Sequence, residues 1–156
     1  MTVLLAVAPG TAERGVDTAF ELAAERGLTL IAVRTWHDPD LPLGGWFHPD
    51  RTARWDAAHA KARHELDRAL ERARTAHPAV RVTPVVVADD LVPFLSALST
   101  RAELLVVGRS TRPGHRASPV DALVRQAACP VLVVPPARRW SIARAASLAS
   151  TSGDGG

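Results

Sequence analysis

Short apolar runs alternate with amphipathic stretches along most of the chain. The runs are continuous rather than alternating, which is typical of strands buried on both faces of a sheet. The stretches between them carry apolar side chains at helical spacing. The five predicted strands are residues 3–8, 28–33, 80–87, 103–107 and 130–134, and the four predicted helices fall within 11–27, 55–77, 89–99 and 118–128. This order predicts an α/β fold, a single-domain five-stranded parallel sheet with helices on both faces.

The second predicted helix has the clearest apolar stripe. The stripe precedes Pro78, which ends the helix. Pro84 lies inside the third strand and predicts an edge position or a bulge, because proline cannot donate to a ladder. Asp89 or Asp90 is expected to cap the third helix. The stripe consists of Trp55, Ala58, Ala62, Leu66, Ala69, Leu70 and Ala73.

The length of 156 residues fits one ordinary domain, which we place at residues 2–136. Residues 137–156 have weak periodicity and end in Gly and Ser, so a disordered C-terminal tail is expected. The N-terminus lacks a basic region and a long apolar run, so we expect a cytoplasmic protein. The single cysteine, Cys129, excludes an internal disulfide and a cysteine-based zinc site, and a buried structural thiol is expected.

Ligands of an open α/β sheet bind beyond the carboxyl ends of its strands, where the strand order reverses. Gly10 follows the first strand, Val33 ends the second, and residues 108–118 follow the fourth. Gly10 and Gly15 have the spacing of a phosphate-binding P-loop, but the required Lys and Ser or Thr are absent from the following positions. That motif is therefore excluded, and Gly10 is interpreted as a turn residue.

The loop after the fourth strand is the best candidate for an anion site. Ser118 and Pro119 form a helix start, and a helix N-terminus offers free N–H groups to an anion. Asp121 competes for the same N–H groups, so a capped turn without a ligand is the alternative interpretation. The candidate residues for an anion or nucleotide crevice are Gly10, Val33, Gly108, Arg109, Arg112, Gly114 and Ser118.

Catalytic and metal-binding patterns are not found in the sequence. His59 and His64 are five residues apart and point to different sides of a helix, so no metal site is predicted. No hydroxyl or thiol nucleophile has an identifiable base, so no catalytic residue is assigned. Trp55 is expected in the core or as a loop clamp. Trp36 and Trp46 are expected either at the crevice rim or on a partner surface.

Three segments of the chain are TVLLAVAPGTAERGVDTAFELAAERG (2–27), AELLVVG (102–108) and CPVLVVP (129–135). Taken together they resemble the universal stress protein family, and the resemblance covers residues 2–136. It implies a Rossmann-like fold of the adenine nucleotide alpha hydrolase type. It also implies a homodimer joined through the last strand, at Val131, Leu132, Val133 and Val134. The apolar, pairable edge of that strand independently favours pairing with a second copy.

The resemblance also shows where this chain departs from the ATP-binding members. Those members carry an Asp at the end of the first strand and the pattern G-x2-G-x9-G-[ST] after the fourth. Gly108 and Ser118 match its first and last positions, whereas Ala8, Thr111 and Ala117 replace the Asp and two glycines. Gly108 and Ser118 are ten positions apart (118 − 108) where the pattern needs fourteen. A shorter loop with added methyl groups predicts no tight ATP binding and no cofactor.

Three functions follow from these patterns. The first is a non-catalytic homodimer that acts in stress response by binding an unknown protein partner. The second is a nucleotide-binding protein with slow ATPase activity that uses the modified loop. The third is nucleic-acid binding by that loop and by Arg138, Arg139 and Trp140; the mild net charge of +3 and the spread of the cations make it the least favoured.

Overall fold

Strands and helices alternate along the chain, as the sequence predicts. The computed structural model describes residues 1–8, 11, 13–36, 51–88, 90–109 and 119–136. Within these residues the strands are β1 (Thr2–Ala6), β2 (Thr29–Thr35), β3 (Val82–Val87), β4 (Leu104–Gly108) and β5 (Val131–Val134). The helices are α1 (Glu13–Arg26), α2 (Arg51–Ala76), α3 (Leu91–Ser99) and α4 (Pro119–Gln126).

The strands form one parallel sheet in the order β3-β2-β1-β4-β5. The predicted α/β fold is confirmed. Pro84 lies in β3 at one edge of the sheet, as its missing N–H group requires. Val3 of β1 is level with Leu30 of β2 on one side and with Leu104 of β4 on the other, so β1 is the central strand.

Both faces of the sheet are buried, because alternate residues of the strands enter two separate cores. Val3 and Leu5 of β1 pack with α1 and α2, whereas Leu4 and Ala6 pack with α3 and α4. Phe20 is fully buried in the first core, among the predicted apolar residues of α1. No helix in the described part of the chain is both long and apolar enough to cross a membrane.

Helix α1 ends where the sequence predicts, at a glycine. Gly27 adopts a left-handed φ of 63°, which costs glycine little. The N–H of Leu28 donates to the carbonyl of Ala23 at 2.9 Å, and the N–H of Gly27 to that of Ala24 at 3.3 Å. These bonds form a Schellman motif, which satisfies two terminal carbonyls and turns the chain into β2.

Helix α2 departs from the predicted stripe at two positions. Ala62, Leu66, Leu70 and Ala73 are buried as expected, but Ala69 is exposed and Trp55 is 43% exposed. The N-terminal turns of α2 are exposed because the helix is longer than the sheet. At about 1.5 Å per residue its 26 residues span about 39 Å, which is roughly twice the length of a six-residue strand such as β3. Trp55 therefore lies on the part of α2 beyond the sheet, outside the core.

Of the predicted helix starts, one differs in detail and one agrees. Asp90 occupies the position before α3 but makes no side-chain cap hydrogen bond. Pro119 is the first residue of α4, as predicted. The predictions for loop residues 37–50, for Asp89 and for the tail at 137–156 fall outside the described residues, so the domain boundary at 136 stays a prediction.

A buried serine joins α3 to the segment before β5. Ser99 is only 1% exposed, and its hydroxyl donates to the carbonyl of Ser96 at 2.6 Å. The same oxygen accepts the N–H of Ala128 at 2.8 Å. One side chain thus holds the end of α3 against a segment almost thirty residues later in the chain.

Replacement of Ser99 by alanine is expected to lower the free energy of unfolding by about 1–2 kcal/mol, because the Ala128 N–H loses its acceptor. Urea unfolding with an unchanged m-value measures the loss. Thr100→Ala is the matched control: it removes an exposed hydroxyl bonded to the Ala97 carbonyl at 2.9 Å and is expected to cost less than about 0.5 kcal/mol. Equal losses for the two variants contradict the bridging role.

Candidate functional site

The candidate crevice lies at the carboxyl ends of β1 and β4. The chain leaves β1 toward α1 on one face of the sheet and leaves β4 toward α4 on the other. The two connections therefore diverge, which is the topological switch point where ligands of open α/β sheets bind.

The turn after β1 is closed by its own hydrogen bonds. The N–H of Ala8 donates to the Thr11 hydroxyl oxygen at 2.7 Å, and the N–H of Thr11 donates to the Ala8 carbonyl at 2.9 Å. The Thr11 hydroxyl thus stabilises the turn that precedes α1. Ala8 also carries no carboxylate, so its side chain offers a ligand no polar contact at the end of β1.

Val33 lies in the floor of the crevice. Its side chain is fully buried in the core formed with α3 and α4. Its carbonyl oxygen accepts the N–H of Val7 at 2.8 Å, which extends the ladder between β1 and β2. Of the predicted crevice residues, Val33 therefore contributes shape and not a polar contact.

Gly108, the last residue of β4, packs directly against the first turn of α1. A methyl group placed on Gly15 would lie 3.6 Å from the Cα of Gly108, which is ordinary van der Waals contact. The space between Gly15 and Gly108 is thus just large enough for the methyl group of an alanine. This contact closes the bottom of the crevice between β1 and β4.

Arg109 faces the start of α4, where the sequence predicts an anion site. The backbone N–H of Arg109 donates to the carbonyl of Val134 at 3.0 Å. One nitrogen of its guanidinium group lies 3.7 Å from a carboxylate oxygen of Asp121. Both side chains are more than half exposed, so the pair contributes little stability. Asp121 places a negative charge on the first turn of α4, and this charge lowers the affinity of that helix end for an anion.

The other four predicted crevice residues cannot be placed. Gly10, Arg112, Gly114 and Ser118 lie outside the described residues, so their predicted role stays a prediction. The structure places Gly108 and Arg109 at the end of β4, and it places Val33 in β2, on the other side of β1.

The sequence analysis missed a polar and aromatic cluster at the end of β2. Arg34 is paired with Glu65 of α2, and the arginine side chain is only 11% exposed. Trp36 packs edge to face against Trp55, with ring centroids 4.6 Å apart. The signal was present: Leu30, Ala32, Arg34 and Trp36 alternate along one strand face, so an arginine there had to find a partner on α2.

Metal and thiol chemistry find no support in the described part of the chain. The residues that the structure describes contain no group of three metal-ligating side chains. Burial raises the pKa of the Cys129 thiol, with a smaller opposing effect from a backbone hydrogen bond. The thiol therefore stays protonated at neutral pH and is a poor nucleophile. Cys129 is partly buried against the α3/α4 core, which agrees with a structural role.

Comparison with known proteins gives one consistent result. The model of the universal stress protein family matches residues 1–135. Universal stress protein Rv1996 of Mycobacterium tuberculosis is 32% identical over 130 residues, which cover 79% of this chain but only 40% of that protein. The chain thus spans about two fifths of the length of the curated relatives it matches.

Solved structures show the same fold. A universal stress protein family member from Burkholderia pseudomallei is 29% identical, with a TM-score of 0.61 over 86% of this chain and 95% of that one. A universal stress protein solved in complex with cAMP has a TM-score of 0.61 over 88% of this chain and 98% of that one. Its identity of 22% shows a shared fold alone.

The closed turn after β1 leads to a prediction for the variant Ala8→Asp. We expect this variant not to acquire tight ATP binding, because the acid returns without the four missing residues of the loop after β4. Isothermal titration calorimetry with Mg-ATP checks this, with the wild-type chain as the control. A micromolar dissociation constant in the variant alone contradicts the prediction and makes the missing acid the sole obstacle.

Proposed function

The chain belongs to the universal stress protein family, and from that membership we propose that it acts in stress response as a non-catalytic homodimer that binds a protein partner without tight ATP binding. The observation that carries this proposal is the turn after β1. It presents alanine where ATP-binding members present an acid, and the N–H of Ala8 is already bonded to Thr11. An adenine ring therefore finds neither a carboxylate nor a free amide at Ala8.

The start of α4 supports the same conclusion. Asp121 places a carboxylate in the first turn, and Arg109 pairs with that carboxylate. A triphosphate at this helix end meets electrostatic repulsion from Asp121 and must compete for Arg109. The described residues of the crevice thus fit ATP poorly, and we assign them no step of nucleotide hydrolysis.

The absence of catalysis is part of the proposal. The described crevice residues are Ala8, Thr11, Val33, Gly108 and Arg109, and they include no pair of nucleophile and base. Such a site suits a binding protein better than an enzyme. The longer relatives are not assumed to act in the same way, because this chain matches only 40% of their length.

Nucleotide binding is the second candidate function. Gly108 ends β4 at the position of the first glycine of the family's loop, and a related fold has been solved with cAMP. A single cyclic phosphate needs less loop than a triphosphate. The two functions therefore predict different responses to ATP and to cAMP.

The homodimer is proposed to form through β5. This strand is at the edge of the sheet, so one side of its backbone is unpaired in the described chain. Leu132 is 37% exposed, and Val131 and Val133 are partly buried. Pairing with a second copy satisfies the edge and covers these side chains. A cytoplasmic location, in line with stress response, belongs to the same proposal.

Thermal shift measurements with nucleotides test the binding part of the proposal. We expect 1 mM Mg-ATP to leave the melting temperature unchanged, because the proposal includes no tight ATP binding. A ligand at a hundredfold excess over its Kd would stabilise the fold by about 2.7 kcal/mol. A tightly bound nucleotide would therefore produce a clear rise. Separate titration with cAMP is the control: a rise with cAMP alone favours the second function, and a rise with ATP contradicts the first.

Replacement of Leu132 by lysine tests the assembly. Because the proposed interface is two-fold symmetric, it would contain the new charge from each of the two copies. We therefore expect the dimer to dissociate, as measured by sedimentation velocity. Val124→Lys is the matched control, since Val124 is 53% exposed and belongs to α4 and not to β5. A monomeric wild type, or equal dissociation of both variants, rejects the β5 interface.

A further inference from the structure

Three cations form a row along the surface of α2. Arg54, Lys61 and Arg68 follow each other at intervals of seven residues, and all three are exposed. Residues seven apart on a helix lie on nearly the same side and about 10.5 Å from each other, so the row covers about 21 Å. Among the described residues none of the three has an ion-pair partner. These three residues are the cationic row.

The charge of the cationic row is not cancelled by its neighbours on the same side of the helix. Between the first two cations these neighbours are Ala57 and Ala58. Between the last two they are His64 and Glu65, and the Glu65 carboxylate is already paired with Arg34 of β2. The row therefore offers its charge to an anionic group from outside the described residues.

A small cavity adjoins the cationic row at Arg68. It lies between α1 and α2, has a volume of about 110 Å³, and is lined on its apolar part by Val16, Ala69 and Ala73. Its charged part has no net charge, because it contains two arginines and two acids. Since a cavity of about 150 Å³ holds a benzene molecule, this one has room for a single aliphatic side chain. The charged residues are Glu13, Asp17, Arg68 and Arg72.

We propose that the cationic row and the cavity together bind an acidic amphipathic helix of a partner protein. Acids at intervals of seven residues on such a helix pair with the row, and an aliphatic side chain of the same helix enters the cavity beside Arg68. Binding at this surface depends on the proposed function, because it gives the unknown protein partner its chemistry. The partner then occupies α2, and the β5 edge stays available for the homodimer.

Nucleic acid is the other polyanion that a row of cations attracts, and two observations favour the protein helix. A phosphate backbone has no aliphatic group to place in the cavity next to Arg68. Nucleic-acid affinity also grows with the number of phosphates that are neutralised, and the row offers only three cations in a chain of net charge +3. An amphipathic helix uses both the row and the cavity.

Two synthetic peptides of equal charge test the cationic row. Both are helices rich in alanine and glutamine, with three glutamates and a leucine one turn beyond each outer glutamate. The glutamates are seven residues apart in the first peptide and five apart in the second, which places them on different sides of the helix. We expect the first peptide to bind at least about fivefold more tightly at low salt, as measured by fluorescence anisotropy, because three exposed ion pairs form together.

Lys61→Glu reverses the central charge of the row. It is expected to weaken binding of the first peptide about fivefold and to leave the melting temperature unchanged, because the side chain is exposed. Arg101→Glu is the matched control, since Arg101 is also exposed and follows α3, which packs on the opposite face of the sheet from α2. The control is expected to change binding less than about twofold.

Ala69→Leu tests the cavity by filling it with a side chain of the protein itself. Ala69 is exposed, so the fold tolerates the change. We expect binding of the first peptide to fall about fivefold. A version of this peptide with alanine in place of its leucines is expected to bind the variant and the wild type equally. This comparison separates entry of the leucine from a general effect of the substitution on α2.

Three outcomes overturn the proposal. If the two peptides bind equally, or if Lys61→Glu and Arg101→Glu weaken binding equally, the attraction is non-specific. If a short DNA duplex binds more tightly than the first peptide, the row is a nucleic-acid surface. If Ala69→Leu binds the first peptide as well as the wild type does, no side chain enters the cavity. A thermal shift with ATP or a monomeric wild type rejects parts of the proposed function instead, and neither result changes the expected peptide binding.

Discussion

The structure depends on the burial of β1 on both faces and along both edges. Val3 to Ala6 alternate between two cores, and their backbone pairs with β2 on one side and β4 on the other. A strand in this position leaves no room for polar side chains, which is why its four buried residues, VLLA, form a continuous apolar run. It also forces the chain to cross to opposite faces after β1 and β4. The crevice is a direct result of that crossing.

Polar groups near the core need hydrogen-bond or charge partners, and this requirement shapes the crevice. After β1 the chain turns sharply, and Thr11 supplies the acceptor that the Ala8 amide needs. After β4 the side chain of Arg109 finds Asp121. Both contacts satisfy groups that a ligand would otherwise use. In the described part of the crevice these groups are therefore already occupied. At the end of β2, by contrast, the Nε of Arg34 and the indole Nε1 of Trp36 have no hydrogen-bond partner among the described residues.

The elements could be predicted from the sequence because their signals are local. Apolar runs, Gly27 after α1 and Pro84 at an edge each act within a few residues, and the structure agrees with each. Residues that act across the fold could not be predicted in this way. The bridge from Ser99 to Ala128 and the pairing of Arg34 with Glu65 depend on the relative placement of elements, which periodicity does not encode. Of the two places expected for Trp55, the core is excluded by its exposure, because a helical stripe does not show where the sheet beneath it ends.

The pairing of β1 with β4 has a consequence for how the chain acquires its structure. Val3 lies level with Leu104, about one hundred positions later, and the register continues to Ala6 and Val107. During synthesis, one edge of the central strand therefore stays unpaired until β4, about one hundred residues later, has left the ribosome. Any strand that pairs with this edge of β1 before β4 is available is a non-native partner. A nascent chain of this topology is at its most vulnerable to aggregation just before β4 emerges.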